Sequence, residues 1–148
     1  FCCYQLADIL ELEISRTNML TKGIAFRNKD FKLYYQTKPS SLKGWALNDT
    51  PDIIIKQKDG KVLILDSKFK VNDGEVKGED IQKLQAYMNN YFVNVGGILY
   101  PGEKISSKVD ELRNIYEIVS IPLYPWDKDK YETIKIRIRE KIEYLLRK

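Results

Sequence analysis

The sequence has 148 residues, of which 43% are hydrophobic and 31% charged, with a formal net charge of +4. This composition fits one globular domain with a full core and excludes a disordered chain. No stretch approaches the roughly 20 apolar residues of a membrane span, and Asp8, Glu11 and Glu13 interrupt the apolar start too early for a signal peptide. Because the chain opens inside an apparent helix without an initiator Met, we expect a fragment of a longer protein that lacks an N-terminal region.

In chain order, the residue patterns predict alternating helices and strands. A helix over 2–20, a strand over 31–37 and a loop over 38–50 precede two apolar runs that form a hairpin around Asp59-Gly60. After a polar stretch, the patterns predict a helix over 79–92, apolar strands over 95–101 and 116–124, and a last helix over 127–147. The order indicates an α/β (α+β) fold, with a mixed β-sheet core flanked by helices.

The residue types limit the chemistry that this domain can perform. Cys2 and Cys3 are adjacent and have no other Cys to pair with, so we expect a cytoplasmic protein in a reducing compartment. The sequence contains no His, which excludes His-based general base catalysis and most transition-metal sites. Catalysis would depend on carboxylates, lysines, tyrosines and a hard cation that prefers oxygen ligands.

Charged residues stand at the ends of the predicted hairpin strands. Asp52 begins the first strand, while Asp66 and Lys68 leave the second on one face, with Cα atoms about 7 Å apart. A two-residue turn would place Asp52 opposite Ser67. A three-residue loop that ends at Gly60 in the left-handed conformation would instead place Asp52 opposite Asp66, and so would a bulge.

A functional interpretation requires the second register. Two carboxylates with Cβ atoms about 5 Å apart destabilise a strand pair, by on the order of 4 kcal/mol at about 4 Å in a dielectric near 20. A divalent cation would turn this repulsion into a binding site, and Mg²⁺ or Mn²⁺ suits oxygen ligands. The alternative is that these charges are solvated at a strand end.

The hairpin resembles the PD-(D/E)xK nuclease superfamily, with Pro51-Asp52, a variable stretch, and then Asp66, Ser67 and Lys68. The resemblance implies a restriction-endonuclease-like fold and Mg²⁺-dependent (or Mn²⁺-dependent) hydrolysis of DNA phosphodiester bonds. It further implies that Asp52, Asp66 and the Ser67 carbonyl bind the metal. Lys68 would position or activate the water and stabilise the phosphorane charge.

The helix after the hairpin is similar to a "D-x-x-K/Q-x-x-x-Y" helix of McrC-type and RecB-like restriction nucleases. Asp80, Lys83 and Tyr87 occupy its positions on one helical face. The first helix of the family often carries a Glu that completes the metal shell. Here Gln5 follows the aromatic Tyr4, which departs from that pattern. Either Glu11 or Glu13 substitutes for the Glu, or this acid is absent.

Further candidates are more ambiguous. Lys70 follows Lys68 on the same face and would bind a phosphate or be solvated, and Trp45 would stack on a base or close the core edge. The basic run over 134–141 is typical of a solvated helix face, although it could contact phosphates.

The sequence therefore predicts a metal-dependent endodeoxyribonuclease, the cleavage domain of a restriction (defence) system. The alternatives are a catalytically weak nucleic-acid-binding or assembly module and a junction resolvase. The expected partners are DNA, an NTP-driven translocase subunit and a second copy of the chain, with no membrane.

Overall fold

The computed structural model describes residues 2–14, 23–37, 50–68, 78–102, 106–109, 117–122 and 128–148. The helices and strands within these ranges follow the order α1 (Cys2–Ile9), β1 (Glu13–Ile14), β2 (Gly23–Arg27), β3 (Phe31–Tyr35), β4 (Ile53–Gln57), β5 (Val62–Ser67), α2 (Gly78–Tyr91), β6 (Val95–Tyr100), β7 (Ser106–Val109), β8 (Glu117–Pro122) and α3 (Lys128–Arg147).

The described strands form one mixed sheet in the order β1-β2-β3-β4-β5-β6-β8-β7. Neighbours from β1 to β5 are antiparallel, β5, β6 and β8 are parallel, and β7 pairs antiparallel with β8. The helix α2 connects β5 to β6, which supplies the crossover that parallel neighbours require. The predicted α/β fold, a mixed sheet flanked by helices, is confirmed.

The central strands are covered on both faces. The helix α2 packs on β5 and β6, and Gly96 allows this close approach, since a Cβ there would lie 2.6 Å from Met88 Sδ. On the other face of β5, the Nζ of Lys61 donates to the Arg147 carbonyl of α3 at 2.8 Å, and α3 contacts α1. None of the described helices combines the length and apolar composition that a bilayer span needs.

The prediction of one helix over 2–20 is wrong, because α1 ends at Ile9 and residues 13–14 are a strand. The amide of Leu12 donates to the Ala7 carbonyl at 2.7 Å, and Glu11 has a φ of +53°. These features define a Schellman motif, which normally has Gly at the left-handed position. With Glu there, the sequence carries no visible stop signal.

The side chain of Asn28 ties the end of α1 to the turn between β2 and β3. Its Nδ2 donates to the carbonyls of Leu10 at 3.0 Å and Glu11 at 3.3 Å. Its Oδ1 accepts from the amides of Asp30 and Phe31, both at 2.8 Å. The side-chain amide of Asn28 therefore fixes the end of the sheet that lies away from Asp52.

Candidate active site

The loop of the β4–β5 hairpin has three residues. The Gln57 amide donates to the Lys61 carbonyl at 2.8 Å, and the Gly60 amide donates to the Gln57 carbonyl at 3.0 Å. Gly60 has a φ of +95°, a left-handed conformation that glycine adopts without steric cost. The loop Lys58-Asp59-Gly60 is therefore the bulged three-residue connection that the functional interpretation requires.

The register of β4 and β5 follows from this loop. Ile53 pairs with Leu65, and Lys56 pairs with Val62. Continuing the register by one pair places Asp52 opposite Asp66. The structure has the register that the functional interpretation requires, with Asp52 and Asp66 at the same end of the strand pair.

Asp66 is the charged residue most deeply buried in the described part of the chain, with 1% of its surface exposed. Its Oδ2 lies 2.7 Å from the Nζ of Lys68, and its Oδ1 lies 3.6 Å from the Nζ of Lys83. Neither oxygen accepts a hydrogen bond of regular angular geometry, so the two ammonium charges stabilise this carboxylate by charge attraction. A buried carboxylate with such partners is typical of functional sites, although structural ion pairs share the feature.

Asp52 is stabilised by Ser67. The Oδ2 of Asp52 accepts hydrogen bonds from the Ser67 amide at 2.9 Å and from the Ser67 hydroxyl at 2.6 Å. The sequence prediction gave Ser67 a role through its carbonyl and did not anticipate these two donors. They hold the Asp52 carboxylate against Ser67, whose side chain leaves β5 on the face opposite to that of Asp66.

Lys68 bridges two acids. Its Nζ lies 2.7 Å from Asp66 Oδ2 and 3.2 Å from Asp80 Oδ1. Burial alone would lower the pKa of Lys68, but the pairing with Asp66 and Asp80 outweighs burial and raises the pKa above the ordinary lysine value. The Lys68 side chain is therefore a protonated cation fixed by two carboxylates rather than a general base.

The helix α2 brings all three of its candidate residues to this cluster. Asp80 pairs with Lys68, and Lys83 pairs with Asp66. The Nζ of Lys83 also lies 5.5 Å from the centre of the Tyr87 ring, which is buried. We call Asp52, Asp66, Lys68, Asp80 and Lys83 the acid–lysine cluster.

The opening turn of α1 carries two buried polar features. Burial raises the pKa of Cys3 to about 12, and the negative charge of Asp52 adds to this rise. The Oε1 of Gln5, two residues further along α1, is buried and accepts no hydrogen bond. Gln5 is therefore a buried amide whose oxygen has no hydrogen-bond partner, and its part in a metal site stays a prediction.

The other predicted acids lie elsewhere. Glu11 pairs with Arg139 of α3 at 2.9 Å, at the end of the sheet that Asn28 fixes, and the structure does not bring it to Asp66. Glu13 is exposed on β1, opposite Arg27. Lys70 and Trp45 lie outside the described residues.

The donors present fit a magnesium ion in type. Mg²⁺ in proteins is usually held by one or two carboxylates and keeps several waters, and Asp52 and Asp66 supply two carboxylates. Within the described ranges no three Asp, Glu, Cys or His side chains converge as a ready metal site. A metal here would displace the lysine ammonium groups from the Asp66 oxygens.

Comparison with known proteins gives a fold relationship. No protein-family model matches the sequence, and no curated protein matches it. Among solved structures, the chain is similar to one in the refined half-complex from the tetradecameric assembly of Thermococcus gammatolerans McrB AAA+ hexamers with bound McrC, with a TM-score of 0.57 and 13% identity. The match covers 77% of this chain and 29% of that chain. At this identity, the likeness shows the fold alone.

Proposed function

We propose that this chain is a metal-dependent nuclease that hydrolyses DNA phosphodiester bonds and serves as the cleavage domain of a restriction system. The observation that carries the proposal is the register of the hairpin. It places Asp52 opposite the buried Asp66, and Lys68 emerges from the same strand to contact Asp66 at 2.7 Å.

Each side chain has a role in this proposal. Asp52, Asp66 and the Ser67 carbonyl would hold Mg²⁺ or Mn²⁺, and the metal, when bound, would supply Lewis acidity toward a phosphodiester oxygen. Lys68, whose raised pKa keeps it protonated, would stabilise the negative charge that develops on the phosphate. Asp80 would orient Lys68, and Lys83 would place a second cation beside Asp66.

A partner is proposed from the composition of the solved assembly. The similar chain belongs to an assembly of McrB AAA+ hexamers with bound McrC. We propose that an NTP-driven translocase subunit is the partner of this chain, which would bring DNA to the acid–lysine cluster.

A second candidate function is a nucleic-acid-binding or assembly module that does not cleave. It is favoured by the charge balance at Asp66, which two lysines neutralise without a metal. Gln5, where a first-helix acid is expected, points the same way. This module would bind DNA but not Mg²⁺.

A plasmid assay separates the two functions. Supercoiled DNA is incubated with the chain and Mg²⁺, with the wild type compared with Asp66→Asn and Lys68→Met. Asp59→Asn, at the far end of the same hairpin, is the matched control. We expect both cluster variants to lose on the order of 100-fold or more in nicking rate, as for lost transition-state electrostatics, and the control to cleave normally. Equal cleavage in all four proteins would refute the assignment, while DNA binding without cleavage or Mg²⁺ binding would favour the second function.

A further inference from the structure

Three basic residues lie in a row across three adjacent strands. Arg27 of β2 pairs with Lys32 of β3, and Lys32 pairs with Lys56 of β4. Residues directly opposite each other in antiparallel strands share a face, with neighbouring strands about 4.8 Å apart. We call Arg27, Lys32 and Lys56 the basic row.

The basic row concentrates like charges. Lys32 and Arg27 are exposed and Lys56 is half-buried, and cations directly opposite each other destabilise a strand pair. Within the described part of the chain, no carboxylate forms a salt bridge with Lys32. Glu13 lies opposite Arg27 at the edge of the sheet, and Lys56 has an interaction of its own within the structure. An anion on this surface would therefore complement chiefly the charge of Lys32.

The adjoining turns add charge and shape. Lys29 and Lys58 join Lys32 and Lys56 in lining a cleft of about 310 Å³, in which Asp30 is the acid. The cleft is built on fixed backbone, since the Lys58 amide donates to the Asp30 carbonyl at 2.8 Å and the side chain of Asn28 accepts from the Asp30 amide. The lysines therefore project from a preorganised support.

The basic row shares its face of the sheet with the acid–lysine cluster. Side chains alternate along a strand, so Lys56 and Ile54 lie on one face, and Ile54 pairs with Ile64, which shares that face with Asp66. Four residues of strand separate Lys56 from Asp52, or about 14 Å. A nucleic-acid strand advances about 3.4 Å per phosphate along a duplex axis, so this separation corresponds to about four base pairs.

We propose that the basic row binds phosphate groups of the DNA strand about four base pairs from the point of cleavage. This inference rests on the proposed function for the identity of the ligand as DNA. The row would hold the backbone in line with Asp66 and would read no base, because backbone contacts position a protein without specifying sequence. An acidic protein segment is the competing ligand.

Binding is measured without cleavage, so that a failed nuclease assignment does not hide the result. The full chain is titrated in EDTA into a fluorescent 20-base-pair duplex, and the dissociation constant is followed from about 50 to 300 mM salt. The row variant is Lys32→Gln combined with Lys56→Gln. The control is Arg137→Gln combined with Lys141→Gln, which removes the same charge from the basic run of α3 that the sequence predicts to be a solvated helix face.

Each lost phosphate contact lowers the slope of log K against log salt by about 0.9. We expect the row variant to lose about 1.8 in slope. If the dissociation constants of the two proteins converge near 1 M salt, the row variant should bind on the order of 60-fold more weakly near 100 mM salt. The control should keep the wild-type slope, and thermal melting checks that all variants fold.

Two outcomes would overturn the proposal. One is an unchanged slope in the row variant. The other is that polyglutamate competes for the wild type more strongly than unlabelled duplex does, and that this competition is lost in the row variant. Such a result would assign the row to an acidic protein ligand. Loss of DNA binding in the row variant without nuclease activity in the wild type would retain the row and refute only the cleavage function.

Discussion

Replacing Lys68 by Met tests the electrostatics of the acid–lysine cluster without any assumption about DNA. Asp66 is 1% exposed, and Lys68 supplies its closest cation at 2.7 Å. Removing one partner of a buried pair costs about 3–5 kcal/mol. Lys83 remains at 3.6 Å and the side chain of Lys68 is 23% exposed, so we expect a smaller loss, about 2 kcal/mol in the free energy of unfolding.

Chemical and thermal unfolding in EDTA measure this loss. A change of about 2 kcal/mol corresponds to roughly 4–8 °C in melting temperature for a chain of this size. The double variant Lys68→Met/Asp66→Asn should recover part of the stability, because it leaves no uncompensated buried charge. We expect a coupling energy of about 1 kcal/mol or more between the two sites.

Added Mg²⁺ extends the same experiment. If Asp66 binds a metal as proposed, Lys68 would compete with it, and the Lys68→Met protein should gain more stability from Mg²⁺ than the wild type does. At ten times the dissociation constant, the gain is about 1.4 kcal/mol. A loss in the free energy of unfolding below about 0.5 kcal/mol for Lys68→Met, which is typical of exposed pairs, would refute the reasoning. Strictly additive effects of Lys68→Met and Asp66→Asn would also refute it.

Three further predictions concern other parts of the chain. Asn28→Ala should lower the free energy of unfolding by about 2–3 kcal/mol, since four hydrogen bonds are lost, and Asn28→Asp, which keeps the acceptor, should lose less in denaturant titration. Tyr131→Phe removes a 2.8 Å hydrogen bond to Asp8, with an expected loss of about 1 kcal/mol at pH 7. Burial opposes the charge of Asp8, but Lys135 and Tyr131 outweigh burial and lower its pKa. The charge-dependent part of this contribution is therefore present above the unfolded pKa of about 3.9 and is lost as pH falls through the lower folded pKa. The difference between wild type and variant should shrink as the solution is acidified, and a constant difference would contradict the pairing. Gln5→Glu should lower the Mg²⁺ concentration needed for half-maximal stabilisation, and an unchanged Mg²⁺ titration in a folded variant would remove Gln5 from the site.

The sequence predicted the parts of the fold in which a local pattern and a turn residue agree. Around Gly60, the sequence left a two-residue and a three-residue loop open and showed that only the three-residue loop would pair Asp52 with Asp66; the structure has the three-residue loop. The last helix was also predicted, and α3 stays helical through the alternating segment over 133–139. Buried contacts at Ile138 and Ile142 outweigh that local alternation.

The failures have a common physical cause. The Schellman motif after α1 has Glu11, with a positive φ, at the left-handed position; without glycine, such an end has no sequence signal. The strands β2 and β7 were not predicted, because their short patterns depend on pairing with distant neighbours. The basic row was missed for the same reason, since Arg27, Lys32 and Lys56 become neighbours only through the register of three strands.

The central claim is that the hairpin register creates a two-carboxylate cation site. The most direct test is an anomalous difference map from crystals of the chain soaked in Mn²⁺. We expect one strong peak within coordination distance of both Asp52 and Asp66, with the Nζ of Lys68 displaced from Asp66 Oδ2. Crystals of Asp66→Asn should show no peak there. A wild-type map without a peak at these carboxylates, with Lys68 still paired to Asp66 at saturating Mn²⁺, would contradict the account.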